Sequence, residues 1–532
     1  MCESVLAKDW ESPEYRSLFR QPLPIPPMKQ PKQIITNPVT GGDIWYYEIE
    51  LKGFQQQVYP QLQPARLVGY DGISPGPTFI IPKGTESVVR FINNAKRENS
   101  VHLHGSPSRA PFDGWAEDVT KPGQFKDYYY RNTQSARTLW YHDHAMAITA
   151  ENANFGQAGA YLLTDPAEDS LGLPSGYGQF DIPLNLASKY YNENGTLQSA
   201  LGEEDSLWGD IIHVVASDAG LLEVPVGVSD LYVSVAERYE VVFDFSAYAG
   251  QTIELRNMKE VGGLGVDDDY LHTDKVMRFV VSAGAVSDPS VVPATLRAVS
   301  FPPAATGIDR SFLFERTNSE WRINGVGFAD VENRILAKVP RGTVEVWELE
   351  NGSGGWTHPI QVHLVDFKIL QRTNGERGVM PYEARGLKDV VWLARHERVL
   401  VEAHYAPWDG VYMFHCHNLI HEDHDMTAAF NVTTLDNFGY NEITDYSDPL
   451  DPRWRARSYN RADFLARTGA FSDAAIIERV QELALQQPYS ELDEVEQSLD
   501  EFWEENGDSS RFYATRSTTL VGPIPRYRRF VL

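Results

Sequence analysis

Between Gly410 and Met426 the chain reads GVYMFHCHNLIHEDHDM. The spacing reads as one strand–loop segment. On a strand successive side chains point to opposite faces, so Cys416 faces one way while His415 and His417 face the other. His421 follows Cys416 at five residues and Met426 at ten. One short segment therefore offers a thiol, an imidazole and a thioether to one place and two further imidazoles to another.

Working outward, three more clusters share this character: His102-Leu-His104, His142-Asp-His144, and His358-Pro-Ile-Gln-Val-His363. With His415, His417 and His421 these clusters take nine of the 14 histidines, in a chain with only 2 cysteines. Each His-x-His presents both imidazoles on one strand face, which suits a shared metal cluster. A thiolate, two imidazoles and a weak methionine form the trigonal blue-copper set. Cys416, His421 and Met426 supply three of these, and His358 is the natural fourth. Zinc fits less well, because the histidine-only clusters far exceed one tetrahedral site. Cys2 and Cys416 cannot staple a disulfide framework.

The surroundings predict an all-β protein. Short runs such as DIWYYEIEL, TFIIP and SVVRFINNA, punctuated by Gly and Pro, read as strands of a sandwich or barrel. The same texture recurs over 166–299 and 300–437 after a first unit at 41–165, without an exact internal repeat. Residues 1–40 form an extended lead-in, proline-rich from Gln21 to Lys32. In the last part, 438–532, Phe471 to Gln487 predicts a helix capped by Ser472, with Ile476, Val480 and Leu483 at helical spacing. The acidic run ELDEVEQSLDEFWEEN and the basic end RYRRF read as a solvated tail.

Composition narrows the partners. The 532 residues carry 47 basic and 74 acidic side chains, a net charge of −27, which repels nucleic acid and anionic membranes. An apolar content of 42% with 12% aromatics is that of a folded protein. No apolar run reaches the roughly 18 residues of a spanning helix. The first residues show no signal-peptide h-region, so an intracellular location is the expectation, with secretion if the true start lies upstream.

The clusters, in this order, resemble those of multicopper oxidases, and the intervening sequence is similar to the fungal bilirubin oxidase branch. The resemblance is carried by PLPIPP, VGYDGISPGPTF, VHLHGS, FDGWAED, QSARTLWYHDHAM, FGQAGAYLLTDPAED, GWTHPI, VEAHYAP and the opening segment. It implies three cupredoxin-like Greek-key barrels and up to four coppers, with a trinuclear cluster between the first and third barrels. By position, His358, Cys416, His421 and Met426 match the type 1 ligands. His104, His142, His144, His363, His415 and His417 match the ligands of the type 3 pair, and His102 a type 2 ligand. Asp113 and Glu422 match the carboxylates that deliver protons, and also suit a role in orienting ligand histidines. Trp356 matches a tryptophan beside the type 1 copper.

Two departures stand out. The family's H-P-x-H-x-H reads here His358-Pro359-Ile360-Gln361-Val362-His363, which puts an amide at the second type 2 position. An amide is a weaker copper donor than imidazole, so low type 2 occupancy is expected. Further, LWGDIIHV runs directly into VASDAGLLE at Val214, where the family carries roughly forty more residues; the middle barrel is therefore expected to be shortened, by deletion or by a gene-structure error. The implied activity is one-electron oxidation with reduction of O2 to water. Coupling of phenols or naphthols in pigment or toxin biosynthesis is the first expectation for substrate, and a bilirubin-type tetrapyrrole the second. A copper electron-transfer protein with an impaired trinuclear centre is the reading from another class.

Overall fold

The structure is a computed structural model, which describes residues 12–187, 189–198, 209–210, 213–257, 272, 274–284, 287–302, 307–433, 446–489 and 492–506. Strands dominate. In the first unit a six-stranded sheet holds Gln33–Thr36, Asp43–Gln56, Ala65–Tyr70, Glu86–Asn93, Gln124–Tyr130 and, from far along the chain, Arg457–Ser458. It faces a four-stranded sheet ordered Gly76–Pro82, Ala158–Thr164, Arg137–Asp143, Val101–His104. Aromatic side chains join the two layers: Tyr47 meets Phe79 at 5.0 Å between ring centroids, and Phe91 meets Tyr141 at 5.9 Å.

The third unit repeats the centre of this plan, with different strands at the sheet edges. One sheet is ordered Glu320–Ile323, Arg310–Thr317, Val344–Asn351, Arg398–His404, Phe367–Thr373. Its partner is ordered Ile335–Pro340, Thr427–Thr433, Gly410–Cys416, His358–Val362, Val390–Leu393. In both units each sheet contains one parallel pair, such as Gly76–Pro82 with Ala158–Thr164 and Ile335–Pro340 with Thr427–Thr433. Phe312 packs on Phe414 at 4.7 Å and on Trp347 at 4.8 Å to fill the third-unit core. The repeat is thus one of strand pairing, while the side chains have diverged.

The middle region is different. Its described strands form sheets of only two, three and two members. The segment His213–Ser217, which follows the abrupt junction, pairs with Gly220–Gly227 and Glu240–Val242, while 199–208 and 211–212 lie outside the described residues. A buried charge cluster ties this region to the third unit. Arg238 meets the Asp389 carboxylate with both terminal nitrogens, and Lys388 meets Asp218 at 3.0 Å and Glu237 at 3.1 Å. Arg137 of the first unit clasps Asp366 of the third through two bonds of 2.8 Å.

The C-terminal helix spans Asp473–Leu485, and the Ser472 hydroxyl accepts from the Ala475 amide, as a capping serine does. Ile476, Val480 and Leu483 are buried. Arg90 of the first unit donates to the Ala470 carbonyl at 2.7 Å, which fixes the entry to this helix. The acidic run departs from the solvated tail expected. It forms a second helix, Leu492–Asn506, in which Val495 and Leu499 are fully buried and the Trp503 indole donates to the Arg341 carbonyl at 2.8 Å. Dense charge on the outer face masks the i, i+4 apolar pair that docks it.

Candidate metal centre

The repeated topology explains where the histidine clusters fall. Val101–His104 and Arg137–Asp143 are neighbours in the first unit, and His358–Val362 and Gly410–Cys416 are the corresponding neighbours in the third. All four clusters lie at or just beyond the ends of these strands, which are buried. The two units bring their strand ends together, so histidines from both meet in one place.

Two sets of imidazoles form there. The Nε2 atoms of His144 and His415 lie 3.1 Å apart, and those of His363 and His415 lie 3.2 Å apart. In the second set, His104 and His417 have ring centroids 5.1 Å apart and His142 and His417 5.2 Å. Among the described residues, neither nitrogen of His417, nor Nε2 of His142, nor Nδ1 of His104 has a hydrogen-bond partner, although all are buried. Unsatisfied buried nitrogens are costly, and a bound cation removes the cost. Burial keeps these rings neutral, with His144 and His415 each pushed down to about 4. A neutral imidazole is the form that binds metal.

On the other face of the Gly410–Cys416 strand, His358 Nδ1 is 3.3 Å from Cys416 Sγ, and His421 Nδ1 is 3.6 Å from it. The two Nδ1 atoms are 3.2 Å apart. The buried Met426 joins this group through backbone bonds, donating to the His421 carbonyl at 2.9 Å and accepting from Cys416 at 3.1 Å. Burial holds the Cys416 thiol well above its ordinary range, so a thiolate there requires a cation. A thiolate flanked by two imidazoles fits copper by the softness of its donors.

Carboxylates sit at both edges. Asp113 Oδ2 is 2.7 Å from His363 Nδ1, and burial raises its carboxyl well above the usual range. Glu422 Oε2 lies 3.1 Å from His415 Nδ1 and Oε1 lies 3.7 Å from His144 Nδ1. Burial pushes Glu422 up to about 7, against the opposing pull of His144. Beside it, a cavity of about 20 Å³, room for one water, is lined by His144, Thr149, Glu422, Asp423 and Thr427.

Two profiles of the multicopper oxidase family match this chain, over residues 54–168 and 301–436. A bilirubin oxidase of Albifimbria verrucaria is 59% identical across 91% of this chain and 93% of its own length. The chain belongs to the multicopper oxidase family. Like other multicopper oxidases it is a copper-dependent oxidoreductase that uses O2. A laccase of Bacillus subtilis is 28% identical over 78% of this chain and 98% of that one. Among solved structures, the McoA multicopper oxidase of Aquifex aeolicus shares the cupredoxin-like fold with a TM-score of 0.67 at 22% identity, covering 78% of this chain and 99% of that one.

Sequence reasoning on the multicopper oxidase missed several contacts. Trp321 stacks on His421 with ring centroids 3.8 Å apart, and meets Trp356 edge-on at 5.6 Å. The Arg316 guanidinium lies over both indoles, 4.9 Å from Trp321 and 5.6 Å from Trp356. Asp389 Oδ1 lies 3.1 Å from His104 Nε2 while also holding Arg238. Most of these partners are distant in sequence; Arg316 and Trp321 alone are close, opposed across the hairpin of Arg310–Thr317 and Glu320–Ile323. Trp140, which stacks on His142 at 4.1 Å, did carry a local signal, since i and i+2 share a strand face.

Proposed function

We propose that this multicopper oxidase acts on a bilirubin-type tetrapyrrole, with Cys416 as the link between the place where the substrate is oxidised and the place where O2 is reduced. The observation that carries this reading is the division of one strand end. Cys416 meets His358 and His421 on one side, and its chain neighbours His415 and His417 join the two imidazole sets on the other.

His358, Cys416, His421 and Met426 are assigned as the type 1 ligands. His144, His363 and His415 would hold one ion of the type 3 pair, and His104, His142 and His417 the other. Bound there, copper supplies one-electron oxidation of the donor and the reduction of O2 to water. Asp113 and Glu422 hold protons against that centre, because burial favours their neutral carboxyl forms. The cavity beside Glu422 has room for one water, through which its carboxyl would exchange protons.

Three observations support the substrate class. The relative at 59% identity is a bilirubin oxidase. The half-buried indole of Trp356 offers an apolar face beside His421, with Trp321 enclosed next to it. Arg316 above them brings a positive charge suited to a substrate bearing carboxylates. Parallel oxygen-uptake assays of the copper-loaded protein with bilirubin and with a neutral naphthol test the reading. Higher kcat/KM on bilirubin is the expected result, and turnover confined to the naphthol would replace it with phenol coupling.

A further inference from the structure

The repeated topology turns the trinuclear region into eight matched positions. His102 faces His142 across the first-unit strand pair, and Gln361 faces His415 across the third-unit pair. Two residues after each of the first partners come His104 and His363, and two residues after each of the second come His144 and His417. His102 and Gln361 are therefore equivalent, and seven of the eight positions are histidine.

The geometry between these two residues is specific. His102 Nδ1 lies 2.5 Å from the backbone carbonyl oxygen of Asp113, an atom that can only accept. The ring is buried among the imidazoles of His104, His142 and His144, where a charge is costly. Its single N–H is therefore at Nδ1, and Nε2 carries a lone pair. Gln361 Nε2 lies 3.0 Å from that Nε2 and donates to it, while Gln361 Oε1 is buried without a partner among the described residues. The reversed amide would set two acceptors against each other at the same distance. The orientation follows from the Asp113 contact.

We propose that Gln361 occupies, by this hydrogen bond, the lone pair with which His102 would take the type 2 copper, so that the chain assembles the type 1 copper and the type 3 pair but not a stoichiometric type 2 copper. The inference rests on the ligand assignment above. Binding an ion at His102 would break the Gln361–His102 bond and turn the amide over, and the replacement donor would be an amide oxygen rather than an imidazole. The six other trinuclear histidines, with His358, His421 and Cys416, are untouched by this competition.

The test is copper content and electron paramagnetic resonance of the full chain reconstituted with excess copper. The natural protein is expected to hold about three coppers per chain, with a type 1 signal and a substoichiometric type 2 signal. Gln361→His is expected to raise the content to about four and to bring up the type 2 signal, with faster oxygen uptake. Gln361→Leu, which can neither donate nor coordinate, is expected to match the natural protein in copper content. A full type 2 signal in the natural protein overturns the proposal, as does a lower copper content in Gln361→Leu. Absence of the blue absorption from all three proteins would overturn the ligand assignment itself, and the proposal with it.

Discussion

Glu422 Oε2 lies 3.1 Å from His415 Nδ1, and the other oxygen of the same carboxyl lies 3.7 Å from His144 Nδ1. One buried side chain thus spans imidazoles from both cupredoxin-like units. Glu422→Gln keeps the shape and removes the exchangeable proton. Oxygen uptake is expected to fall about a hundredfold, with copper content and blue absorption unchanged. Equal turnover in the variant would assign Glu422 to orienting the histidines alone.

Asp389 sits between Arg238 and His104, and fixes which nitrogen of His104 stays open. Asp389→Asn is expected to weaken copper retention about ten- to hundredfold, read as faster loss to a chelator. Because His104 is assigned to the proposed trinuclear region, the blue absorption should outlast the other copper signals during that loss.

Trp321 covers His421 at 3.8 Å in a fully enclosed position. Trp321→Ala is expected to cost about 3–5 kcal/mol in stability, through the cavity left behind. The reduction potential of the type 1 copper should shift as well, since His421 loses its packing. Trp321→Phe should recover most of the stability; full recovery of the potential by Phe would show that stacking area, not the indole, sets it.

Glu383 is buried between Arg372 and Arg377, at 2.7 Å and 2.9 Å. Burial alone would raise its carboxyl, but the two guanidiniums outweigh it and hold it down to about 2. A depressed folded-state value stabilises the protein above the ordinary carboxylate range near pH ~4.3, and that contribution is lost as pH falls towards 2. Glu383→Gln is expected to cost about 3–5 kcal/mol at neutral pH, because Arg377 loses its carboxylate partner and Arg372 keeps only Glu397. Denaturation midpoints between neutral pH and the acid limit should show a shallower decline for the variant than for the natural chain.

Much of the site was legible because metal ligation constrains residue type and local spacing together. The i, i+2 histidines and the alternation around Cys416 translate directly into strand faces, and the structure places His102, His104, His142, His144, His363, His415 and His417 in one region. Trp321, Arg316 and Asp389 were not legible, because each meets its partner across a loop or a unit boundary. The helix over Leu492–Asn506 was obscured for another reason: its docking face is only a few residues wide, and the acidic surface dominates its composition.

By itself the sequence determined the candidate donor set, the all-β character and the odd residue at 361, since these depend on side-chain chemistry and on the two-residue period of a strand. Only the tertiary structure decided that the first and third units share one pairing scheme, that His102 and Gln361 are equivalent within it, and that the amide is turned towards the imidazole. Those facts depend on which strand ends meet across two separate sandwiches, and no local spacing along the chain encodes a contact between residues 259 positions apart.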